Sequence, residues 1–139
     1  MLKRLTAEHA IFAAATAAIW VHLLDTVIEG TEKGWLFGGA VLLGALTAIA
    51  AVDYSRLPPL ARPGVSVVLG ATWLAGGIVN HVVPLATRGA HATDVTGVLL
   101  TAGGLVQVAL GLAVASRVAR PPGTDRSDEG SVRRPRGRW

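Results

Sequence analysis

His22 and Asp25 interrupt a stretch, AIFAAATAAIWVHLLDTV, that is otherwise apolar apart from its threonines. Glu29 follows one turn later. On a helix turning 100° per residue, Glu29 lies about 20° from His22 and Asp25 about 60° from it. Thr26 falls close by, so the segment carries one polar stripe. An imidazole and a carboxylate in an apolar setting favour each other's charged form, and the pair can take up or release a proton. A second polar pair, Asn80-His81, interrupts another apolar run, and His91 and Asp94 flank the start of a third.

Such a set suits three chemistries. Imidazole with carboxylate binds zinc, iron, copper or manganese, a divalent metal for which His22 and His81 are the candidate ligands. Two histidines at one depth on different helices also suit the axial positions of haem b, with glycines making room for the macrocycle. The third chemistry is acid–base: His22, Asp25 and His81 as catalytic groups or a proton relay, with Glu29, Asn80 and Gly104 lining the ligand-binding part. No HExxH motif is present, and a His/Asp pair at i, i+3 is not diagnostic by spacing. Cysteine is absent, which excludes disulfides, iron–sulfur clusters and thiol catalysis.

These residues must be positioned by elements that composition places in a bilayer. The 139 residues are 51% hydrophobic and only 16% charged, against about 25% charged in soluble domains. The charges also crowd into the first residues, one loop and the final stretch. A soluble fold of this length could not bury so much apolar surface. At roughly 20 apolar residues per crossing, four spans are expected, at about 7–28, 35–52, 65–85 and 94–118. Pro58-Pro59 and Pro63-Gly64 are read as stopping the chain before the third, Pro84 as ending it, and Thr93 or Asp94 as capping the fourth. The first span is expected to stay uncleaved, because Glu8 and His9 break the start of any signal-peptide core.

Lys and Arg in short loops set direction. With the N-terminus inside, Lys3, Arg4, Arg56, Arg62 and the seven arginines from Arg117 onward are all cytoplasmic, and only Lys33 and Arg88 lie outside. The expected fold is therefore all-α: an integral membrane up-down four-helix bundle over 1–118, both termini cytoplasmic. Residues 119–139 are expected as a disordered basic tail, too poor in apolar residues to fold and attracted to anionic headgroups. The excess of arginine over lysine, 11 to 2, with abundant Ala, Gly and Val, points to a high-GC bacterium and its cytoplasmic membrane. The basic residues flank spans and do not stripe a folded domain, so nucleic acid is not an expected partner.

His22 lies about 15 residues from the inner start of its span and His81 about 16 from its own. At about 1.5 Å per residue the two imidazoles share a depth. The expectation is an outward-facing His/Asp/Glu pocket between the first and third helices, acting on or binding a lipid-soluble small molecule, a metal or haem, or a proton. Glu29, Glu32 and Asp94 also suit a plainer role, marking where helices leave the bilayer. Gly97, Gly104 and Gly111 recur every seven residues, and Ala40 with Gly44 and Gly76-Gly77 add further small steps. Such stripes let helices approach closely. Mid-span Gln107 is expected to hydrogen-bond another helix. Two other function classes fit the same spans: an accessory subunit of a membrane complex, which needs no His–Asp pair, and a small transporter or channel, which would have to form a homo-oligomer to enclose a path.

Overall fold

The computed structural model describes residues 2–30, 34–90 and 94–120, with the side chains of 2–5 and 36 left aside. Glu32, Lys33, His91, Thr93 and the tail from 121 lie outside the described residues. Helix α1 runs Leu2–Glu29, α2 Trp35–Asp53, α3 Ala61–Arg88 and α4 Asp94–Val118. A 3₁₀ turn, Tyr54–Arg56, follows α2. No strand occurs among the described residues. All four helices are long and apolar enough to cross a membrane.

Two proline readings need correction. The third helix starts at Ala61, not Val65, so Pro63 sits in its first turn, where a missing N–H costs nothing because no intrahelical acceptor awaits it. Nor does Pro84 end the helix, which continues to Arg88. Proline deprives the Asn80 carbonyl of its usual donor four residues on. The chain adapts with a π turn over Ile78–Val82, in which Val83 N–H bonds Ile78 O five residues back. The wider turn carries His81.

Contacts show which faces meet. The glycine repeat of α4 lies against α3: Gly104 opposite Gly70 and Leu74, Gly111 opposite Pro63, Ser66 and Val67, and Gly97 opposite His81. Numbers rise along one helix as they fall along the other, so the two run antiparallel. On its other side α4 meets α1, where Gly103 packs on Ala15 and Ile19. Helix α2 packs on α1 through Gly44, which faces Leu23 and Trp20.

Hydrogen bonds lock these approaches. Trp73 Nε1 donates to Thr47 Oγ1 at 3.0 Å, tying α3 to α2. Gln107 Nε2 donates to Thr16 Oγ1 at 3.1 Å, tying α4 to α1 as its mid-span position suggested. Such bonds between membrane helices contribute about 0.6 to 2 kcal/mol each, so close packing along the glycine seams carries more of the association. Beyond them, Tyr54 stacks on Phe12 with ring centroids 4.7 Å apart and shares a hydrogen bond with Ser66 at 3.2 Å. Arg62 ties down the intervening loop through the Leu57 and Ser55 carbonyls. Outward, Leu42, Leu46, Ile49, Val68, Leu105 and Leu112 are exposed, a surface suited to hydrocarbon rather than water.

Candidate functional site

The end of the molecule opposite Tyr54 gathers His22, Asp25, His81, Asp94 and Thr96. His22 and His81 are both buried, and their rings meet edge to face, centroids 4.4 Å apart at 77°. His81 reaches α1 because Gly97 has no side chain: a Cβ there would overlap the imidazole. Within the π turn His81 is buried while its neighbour Asn80 is exposed.

Each imidazole has its own carboxylate. Thr96 Oγ1 donates to Asp25 Oδ2 at 2.5 Å and faces His22 Nδ1 at 3.1 Å. A carboxylate only accepts, so the hydroxyl proton goes to Asp25 and the hydroxyl lone pairs are turned to an Nδ1–H of His22. Thr26 donates to the His22 carbonyl at 2.9 Å, and its oxygen stands 3.5 Å from Nε2. His22 and Asp25 therefore communicate through a residue of another helix. They do not touch each other. On the α3 side, His81 Nδ1 lies 3.7 Å from Asp94 Oδ1, both side chains buried. That nitrogen makes no hydrogen bond among the described residues, and 3.7 Å from the Asp94 oxygen is ion-pair distance whenever the ring is protonated.

The expected site residues divide accordingly. His22, Asp25 and His81 are brought together. Glu29 is exposed at the end of α1 and Asn80 is exposed on α3. Gly104 is not a ligand-binding position: a Cβ there would stand 2.5 Å from Leu74 N and 2.8 Å from Gly70 O, which leaves no groove for a flat ligand. Asp94, expected as a cap or an exit marker, is buried in the first turn of α4, where its Oδ1 lies beside the His81 ring. Thr96 was not expected at all. Its only sequence signal is its place two residues after Asp94, in the first turn of α4.

Neither haem nor a divalent metal fits this arrangement. An iron held axially by both rings needs them on opposite sides of a macrocycle, and these rings are already in contact. Both nitrogens of His22 face threonine hydroxyls, and among the described residues no three His, Asp or Glu side chains are grouped to hold a metal ion. What the cluster can do is hold a proton: it joins two imidazoles and two carboxylates in an apolar surround. Two imidazolium rings in edge-to-face contact would repel each other, so the pair has room for at most one added charge. Compared with known proteins, the chain matches no family model, no curated protein and no solved structure.

Proposed function

We propose that the chain is a multi-pass protein of a bacterial cytoplasmic membrane, an up-down bundle with both ends cytoplasmic, whose His22–His81 cluster is an outward-facing acid–base site. It accepts a proton on the His81–Asp94 side and exchanges it with a lipid-soluble molecule at the outer end of the bundle. The observation that carries this is the contact between imidazoles of α1 and α3, each with a separate carboxylate. Buried ionisable groups within spans are costly and rarely kept for packing alone. His22, fixed by Thr96 and Thr26, serves as the neutral partner whose ring face borders the protonated one.

Imidazole NMR of the histidine-labelled protein in nanodiscs tests the reading, with signals followed from about pH 8 to 5, the range in which histidine switches charge. The acid–base reading expects the histidine pair to bind a proton that the Asp94 carboxylate, beside His81, helps to hold. In Asp94→Asn the uptake weakens, because the lost carboxylate no longer favours the imidazolium. A His81 that stays neutral throughout, with an unchanged response in Asp94→Asn, sinks the acid–base reading.

Orientation has its own test. Without native cysteines, single Arg88→Cys and Ser127→Cys variants give a clean background for impermeant thiol reagents. Cys at 88 is expected to label from outside and Cys at 127 only after permeabilisation. Labelling of both from outside overturns the topology.

A further inference from the structure

We infer that the bundle encloses a water molecule hydrogen-bonded to Gln107 Oε1, a second polar site separate from the histidine cluster. Gln107 is fully buried and lies between two apolar layers. Ile19, Leu23, Trp73 and Leu100 form the layer toward the histidines, and Phe12, Ala51, Tyr54, Leu110 and Val114 form the other. The Nε2 end of the amide is bonded to Thr16, but Oε1 has no partner among the described residues.

Exchanging the two ends of the amide does not cure this. The single proton of Thr16 goes to the Phe12 carbonyl at 2.9 Å, so Thr16 can only accept from Gln107. A reversed amide would set two acceptors face to face and strand both N–H groups. The other hydroxyl buried at this height is also spent: Thr47 donates to Leu43 O at 2.8 Å and accepts from Trp73. Most helix N–H groups are engaged along the helices. Trp20 Nε1 is also a buried donor without a partner among the described residues, and it makes no hydrogen bond to Gln107; the donor therefore comes from outside the chain, and the one that fills such positions in protein interiors is water. It has partners enough. It can donate to Gln107 Oε1 and to the remaining lone pair of Thr16 Oγ1, and accept from the second Nε2 hydrogen.

Gln107 is the only glutamine in the chain, so glutamine labelled with ¹⁵N at the side chain reports on this site alone. In nanodiscs, the Gln107 amide protons are expected to show a direct cross-relaxation peak at the water frequency, with the sign of a long-lived bound water. Thr16 is itself a partner of the amide and of the water, so the measurement is made on the native chain. A dry Gln107 amide overturns the inference. The result is independent of proton uptake at His81, because Ile19, Leu23 and Leu100 separate the two sites.

Discussion

Gly104→Leu is expected to abolish the folded bundle. A Cβ at this position already stands 2.5 Å from Leu74 N and 2.8 Å from Gly70 O. Both are backbone atoms of α3, and neither can swing aside as a side-chain tip would. The branched side chain must push α4 off α3 along the whole seam, from Gly97 to Gly111. Overpacking a core usually costs about 1–3 kcal/mol; here the helices have to separate, and the upper end of that range is a floor. Gly38→Leu is the matched control, because a Cβ at Gly38 meets nothing within 4 Å. Thermal unfolding in detergent, followed by size-exclusion profile, reads both variants. Gly104→Leu unfolding like Gly38→Leu would mean that α4 does not pack on α3 through this stripe.

Thr96→Val is expected to disable the histidine cluster while the bundle still folds. Valine keeps nearly the shape of threonine and loses only the hydroxyl, and that hydroxyl is the link between His22 and Asp25. Without it the Asp25 carboxylate loses a charge-assisted hydrogen bond, worth about 1.5–3 kcal/mol, and His22 Nδ1 loses its acceptor. If the cluster works as one unit, Thr96→Val, Asp25→Asn and His22→Ala lose the proton response of His81 to a similar degree, because groups acting together are not additive. Thermal stability separates this from a purely structural role. A structural cluster shows lowered stability in all three variants with the His81 response intact. That outcome would reduce the site to a satisfied polar patch.

Hydropathy and charge alone determined the number of spans, their rough limits and the small-residue seam of α4. Those features follow from properties summed over many residues: 20-residue apolar runs and a glycine every seventh position. The fourth span, Asp94–Val118, needed no adjustment. Depth was legible too, because helical rise is constant, and it brought His22 and His81 to one level before any packing was known. The rest depended on rotation, which sequence spacing along one helix does not set between helices. Asn80 and His81 are neighbours in the chain, yet one is exposed and the other buried, since consecutive helical residues point about 100° apart and only the packing of α3 decides which faces inward. His22 and Asp25 looked like a pair on α1, but their link is Thr96 on α4, a single common residue type with no pattern around it. Asp94 meets His81 only because Gly97, one turn on, lets the ring come close. Each of these outcomes rests on a contact between helices distant in sequence. Only the tertiary structure fixes such contacts, because a rotation of one helix by a fraction of a turn would leave every hydropathy sum unchanged and take the site apart.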